Sequence, residues 1–243
     1  GDIETKAGML AMYFGAEFEK SELINFFKSY EQVKHEVFEL SEVDYRFQEY
    51  HHFLENNHDG CLVTKLREIS EYDSWISNYF SNITQVKQIT VTNAFYGFDR
   101  IQPSKDRRID SYKNDLWENN SATKGWLPAV KVYGEGIFIE FNSTVIKNWS
   151  RDFSTKTEFK KLQEKALMSS LHEKVGVLSP AYLLIHTFSH LLINQMIFDC
   201  GYSTASLRER IYVSEDPETQ MYGLLIYTAA GDSEGSLGGL VRM

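Results

Sequence analysis

Two histidines, His186 and His190, have the residue type and spacing in this sequence that most directly suggest chemistry. They lie four residues apart, so in an α-helix their side chains occupy the same face on successive turns. Two imidazoles in that arrangement can chelate one metal ion. Asp232 and Glu234, in a glycine-rich stretch near the end of the chain, could complete such a site. One hypothesis is therefore a metal-dependent hydrolase or nuclease.

The same histidines also have a structural interpretation, which we favour. The segment His-Thr-Phe-Ser-His lacks the glutamate that follows the first histidine of a zincin motif, and no nucleophile with a neighbouring base is evident. Buried imidazoles need hydrogen-bond partners, and Tyr182, Ser189 or the glycine-rich stretch could supply them. We therefore predict no catalytic residue and no metal in this chain. The predicted network comprises His186, His190, Asn194, Arg208, Arg210, Asp232, Glu234 and Gly235.

The element that must position the histidines is a long helix from Ser179 to Cys200. A serine followed by a proline is typical of a helix start, and Gly201 can close the other end. The segment is apolar on nearly every side, which predicts a helix buried in a core. Its polar residues make a membrane span a poor explanation, and we expect no membrane partner.

Strand patterns surround this helix. The segment from Trp126 to Phe141 alternates apolar and polar residues on both sides of Gly-Glu-Gly, which predicts a hairpin with its turn at 134–136. Met221 to Thr228 reads as a buried strand, and in a strand Arg208 and Arg210 would share one face. Helical patterns begin near Ser21 and Ser41 and fill much of 143–174. We predict an α+β fold with a mixed β-sheet packed on a long buried central helix and a helical N-terminal part.

Charge is distributed unevenly along the chain. The net charge is −9, and residues 1–60 contain thirteen Asp and Glu against five Lys and Arg. We predict an acidic helical segment over 1–60, a candidate for a partner's basic surface, and an α+β domain over 61–243 that is expected to be a fragment of a longer protein. An acidic protein needs a local basic patch to contact nucleic acid. The candidate nucleic-acid-binding residues are Arg100, Lys105, Arg107, Arg108, Lys147, Lys160 and Lys161.

The two cysteines, Cys61 and Cys200, are far apart in the sequence and predict no disulfide scaffold. We interpret both as small buried hydrophobic residues in a reducing compartment. The polar N-terminus has no signal-peptide pattern, which favours a cytoplasmic location. No Gly-x-x-x-x-Gly-Lys-Ser/Thr pattern occurs, so ATP hydrolysis would have to come from another protein or domain.

Several stretches together resemble the DrmB-type proteins of DISARM bacterial defence systems and the wider class of helicase-associated C-terminal domains, which includes the zinc-binding domain of MrfA-type helicases. The resemblance covers residues 95–240. It rests on Phe95–Ile101, Trp126–Phe141, Leu184–Gln195, Cys200–Tyr212 and Leu225–Leu240.

The resemblance implies an auxiliary, non-enzymatic role beside a superfamily 2 DNA helicase in anti-phage defence. The helicase would supply the ATPase, and DNA would be engaged through the complex. Members of this family usually have four zinc-binding cysteines beyond the glycine-rich stretch, whereas this sequence ends before any such cluster. We therefore expect no cofactor in this chain, with zinc possible in a longer parent protein.

Overall fold

The computed structural model describes residues 41–95, 127–169, 177–200 and 206–228, together with isolated positions before residue 26. The chain divides into two compact units, Gly1–Glu42 and Val43–Met243. The described elements belong almost entirely to the second unit. The predicted loop over 102–124, the glycine-rich stretch over 229–240 and most of the first forty residues lie outside the described residues.

A six-stranded sheet forms the centre of the larger unit. Its strands are β1 (His58–Asp59), β2 (Leu62–Arg67), β3 (Phe80–Ala94), β4 (Ala129–Phe141), β5 (Leu207–Ser214) and β6 (Met221–Thr228). Their order across the sheet is β1-β2-β3-β4-β6-β5, and every pairing is antiparallel. The α+β class predicted from the sequence is confirmed, with one correction: within the described residues the sheet is antiparallel rather than mixed.

Helices lie on both faces of this sheet. The α-helices are α1 (Glu42–Phe53), α2 (Ile76–Tyr79), α3 (Ser143–Ser154), α4 (Thr157–Leu167) and α5 (Pro180–Cys200), with short 3-10 turns at Ile69–Glu71 and Pro217–Thr219. On one face, α1 packs Tyr50 and Phe53 against Phe138 of β4 and Tyr212 of β5. On the opposite face, α5 packs with Ile139 and other alternating strand residues. This alternation follows from the two-residue period of a strand.

The predicted hairpin over 126–141 is wrong, because these residues form the single continuous strand β4. Gly134 and Gly136 pair with Ile89 and Val86 of β3, where two residues of β3 oppose one of β4 in a β-bulge. A side chain at Gly136 would place its Cβ 2.6 Å from the carbonyl oxygen of Ile226. The glycine therefore permits a close approach of strands, which is the other common reason for glycine in a strand.

The predicted central helix is confirmed as α5. The Ser179 hydroxyl accepts a hydrogen bond from the amide of Tyr182 at 3.1 Å, as expected of a helix-capping serine. Burial is restricted to one side of the helix: Ala181 and Ile185 are fully buried, whereas Leu191 and Phe198 are exposed. The prediction of a helix buried on nearly every side is corrected to this extent, because its apolar composition exceeds what the sheet covers.

The residues Pro180–Asp199 of α5 form, within the described parts of the chain, one helix that is long and apolar enough to cross a membrane. That is a statement about length and composition, and core helices meet the same criterion. Packing of α5 against β5 and β6 accounts for its buried side.

The cysteine interpretation needs a correction as well, since Cys61 is exposed and carries a free thiol.

Candidate functional site

The two histidines of α5 lie opposite a carboxylate of β5. The Nε2 atoms of His186 and His190 are 3.0 Å apart. The Oε1 atom of Glu209 lies 3.4 Å from Nε2 of His186 and 3.7 Å from Nε2 of His190. We call these three residues the His-His-Glu cluster. It joins the middle of α5 to the edge strand of the sheet.

Two further residues of α5 surround the cluster. Ser189 is fully buried, and its hydroxyl donates a hydrogen bond to Oε2 of Glu209. The Tyr182 ring stacks on His186, with ring centroids 5.7 Å apart and an interplanar angle of 23°. Burial, and secondly the negative charge of Glu209, raise the pKa of the Tyr182 hydroxyl. Both the carboxylate and one imidazole ring are therefore held by neighbours.

Exposure differs among the three side chains of the cluster. The exposed fraction is 38% for His186, 59% for His190 and 25% for Glu209. The cluster thus has a protected floor formed by Glu209 and Ser189 and an outer side open to solvent at His190. Its donor atoms are two imidazole nitrogens and a carboxylate oxygen, a set that suits a borderline metal such as Zn²⁺.

Glu209 is the residue that sequence reasoning missed. Strand β5 directs Leu207 and Ile211 towards α5, and the two-residue period places Glu209 between them on the same face. The signal was present in the sequence as a single acid in the apolar register of a strand.

The two arginines project on the other face of the sheet, as their predicted common face requires. Arg210 donates through Nε to Oε2 of Glu49 in α1 at 2.6 Å, and Arg208 is exposed. Burial alone would lower the pKa of Arg210, but the Glu49 carboxylate outweighs this and raises the pKa. Arg46 of α1 also donates to the carbonyl oxygen of Ile211, at 2.8 Å. These contacts tie α1 to β5 and do not bring the arginines to the histidines.

No family model matches the chain. A search of curated proteins found "DISARM protein DrmB" of Bacillus paralicheniformis, which is 38% identical over 172 residues. The match covers 68% of this chain and 29% of the relative, so the chain spans less than a third of that protein. The chain contains a DrmB-type segment. This confirms the family resemblance that was predicted from five separate stretches.

The structure also describes some of the basic residues that are predicted to contact nucleic acid. Lys147 of α3 lines a cleft of about 340 Å³ together with Arg151, one helical turn further on. Its Nζ donates to Oε1 of Gln220 at 3.0 Å. Lys160 and Lys161 of α4 are exposed. Arg100, Lys105, Arg107 and Arg108 lie outside the described residues.

Of the remaining residues of the predicted network, one lies among the described residues and three lie outside them. Asn194 is exposed on α5, one turn beyond His190. Asp232, Glu234 and Gly235 lie outside the described residues, so their predicted link to the histidines stays a prediction. The carboxylate that the described structure does bring to the histidines is Glu209.

Proposed function

We propose that this chain is part of a non-enzymatic DrmB-type subunit that acts beside a superfamily 2 DNA helicase in bacterial anti-phage defence. The observation that carries the proposal is its 38% identity to a DISARM protein over most of its length. The proposal places the protein in the cytoplasm, where a DNA helicase and injected phage DNA would meet. The helicase supplies ATP hydrolysis, and this chain contributes binding surface.

A direct contribution to DNA binding is the more specific part of the proposal. The exposed positions of Lys147 and Arg151 on α3, and of Lys160 and Lys161 on α4, support it. Each lysine or arginine that neutralises a phosphate releases counterions, which makes binding weaken as salt rises. Glu215 also lines the cleft beside Lys147. Its negative charge restricts phosphate contact to the outer, cationic side of α3.

The test is the salt dependence of DNA binding by the helicase complex. We expect Lys147→Ala combined with Arg151→Ala to weaken binding of duplex DNA of any sequence. The negative slope of log affinity against log salt should become shallower by about 1.8, because each lost phosphate contact reduces its magnitude by about 0.9. Fluorescence anisotropy between low and moderate salt measures both quantities.

The matched control removes the same charge from the sheet. Lys65 of β2 and Lys131 of β4 are both exposed, and their double alanine variant should leave the slope unchanged. An unchanged slope in the α3 variant, or an equal fall in both variants, would contradict a direct role of α3 in DNA binding. Association with the helicase is measured separately, so the two parts of the proposal fail independently.

A further inference from the structure

We propose that His186, His190 and Glu209 form a binding site for one divalent transition metal ion of the zinc type. The ion would link α5 to β5 through three side chains. This goes beyond the proposed function and departs from the expectation that the chain holds no metal. It also replaces the acids of the earlier metal hypothesis, Asp232 and Glu234, with a residue that the structure places at the histidines.

The distances among the three donor atoms match the size of such an ion. The atoms form a triangle with sides of 3.0, 3.4 and 3.7 Å. Its corners lie about 2.0 Å from a common centre, which is the length of a zinc bond to histidine nitrogen or carboxylate oxygen. A point slightly above the plane of the triangle is therefore within bonding distance of all three atoms. The fourth tetrahedral position remains for water.

Hydrogen bonding alone explains the arrangement less well. The two imidazoles lie at hydrogen-bond distance from each other, but Oε1 of Glu209 is 3.4 and 3.7 Å from their nitrogens. Hydrogen bonds between nitrogen and oxygen are about 2.7–3.2 Å long. The carboxylate oxygen is thus directed at both nitrogens without pairing closely with either. A cation between the three atoms satisfies all of them.

The neighbouring side chains behave as outer-shell residues of a metal site. Ser189, fully buried, donates to Oε2 of Glu209 and leaves Oε1 for the ion. The stacked ring of Tyr182 fixes the plane of His186. Such groups orient metal ligands, and their loss commonly weakens affinity by about 10- to 100-fold. The exposed side of His190 provides a path by which the ion can enter.

The test uses the tag-free 243-residue chain after removal of metal with a chelator. Titration calorimetry with Zn²⁺ should show one ion per chain. Titration with Co²⁺ should give the visible absorption bands of a tetrahedral site. The Tm should rise with zinc, because an ion that binds only the folded chain stabilises it. Neither helicase nor DNA is needed, so the result is independent of the proposed function.

Variants identify the ligands. His190→Ala removes an exposed ligand with little risk to folding, and Glu209→Gln keeps the shape of the side chain but not its charge. Loss of a group that only orients a ligand weakens metal affinity by about 10- to 100-fold. Each of these two variants should weaken zinc affinity by more than that. His52→Ala is the control, since His52 is an exposed histidine of α1. Circular dichroism confirms that each variant is folded.

Three results would overturn the proposal. One is the absence of one-to-one zinc binding by the folded parent chain. Another is a His190→Ala variant that binds zinc as the parent does. The third is an equal loss of affinity in the His52→Ala control, which would indicate non-specific binding by surface histidines.

Discussion

At the scale of single residues, a hydrogen bond between Tyr50 and Glu140 joins α1 to the sheet. Tyr50 of α1 is 4% exposed, and its hydroxyl donates to Oε1 of Glu140 in β4 at 2.5 Å. Burial, followed by the hydrogen bond and the charge of Glu140, raises the pKa of Tyr50. On the opposite face, the hydrogen bond from Ser189 to Glu209 attaches α5 to β5.

The raised pKa of Tyr50 predicts a pH-dependent contribution to stability. This contribution is fully present below pH 10, the ordinary tyrosine value, and is lost as pH rises from there towards the folded-state pKa. We expect Tyr50→Phe to lower the free energy of unfolding by about 2 kcal/mol at pH 7, the value of a hydrogen bond to a charged group. The difference from the parent should narrow above pH 10. Urea unfolding from pH 7 to 11 measures it.

Tyr45→Phe is the control for this experiment. Tyr45 lies on the same helix but is 59% exposed, so removal of its hydroxyl should change little at either pH. A Tyr50→Phe deficit that stays constant up to pH 11 would contradict the assigned cause.

Residue-level prediction succeeded where one periodicity dominated. His186 and His190 were placed on one helix face from their spacing alone, and the structure brings their rings together. Glu209 could not be paired with them from sequence, because that contact depends on which face of β5 meets α5. The acid in the apolar register of β5 marks Glu209 as unusual, but its contact with the histidines is a tertiary one that no local pattern encodes.

At the scale of elements, aromatic packing between α1 and the sheet depends on a missing side chain. Gly223 of β6 lies beneath Tyr50 and Phe138, and a Cβ there would be 2.7 Å from Cε2 of Tyr50 and 2.9 Å from Cζ of Phe138. The ring of Phe53 stacks on that of Phe138, with ring centroids 5.0 Å apart. Little room remains for adjustment.

We therefore expect Gly223→Ala to destabilise the fold by about 2–3 kcal/mol, because overpacking forces rings or backbone to shift. Gly60→Ala is the matched control, since a Cβ at Gly60 has no atom within 4 Å. That change should stay within about 0.5 kcal/mol, as is usual for surface substitutions. Chemical unfolding of both variants measures the difference, and equal effects would contradict the packing argument.

Element prediction was most successful for segments that are regular over their whole length. Helix α5 and strand β6 were predicted with bounds within a residue of those observed. Strand β4 was divided wrongly because Gly-Glu-Gly has the composition of a turn. The β-bulge of β3 that explains these glycines lies over forty residues away in the sequence. Glycine chemistry alone therefore could not distinguish the two cases.

At the scale of the whole molecule, we propose that this chain contributes binding surface and that a partner helicase hydrolyses ATP. The described residues provide an antiparallel sheet covered by α1 on one face and α5 on the other. The exposed lysines on α3 and α4 are candidates for DNA. This chain spans less than a third of its relative. The proposed contact with a helicase must therefore be tested on this chain itself.

The most direct test is sedimentation velocity of the purified chain mixed with the superfamily 2 helicase that we propose as its partner. We expect a complex at micromolar concentration that sediments faster than either component. ATP hydrolysis should follow the helicase alone. Separate boundaries for the two proteins, or ATP hydrolysis by the isolated chain, would contradict the proposed function.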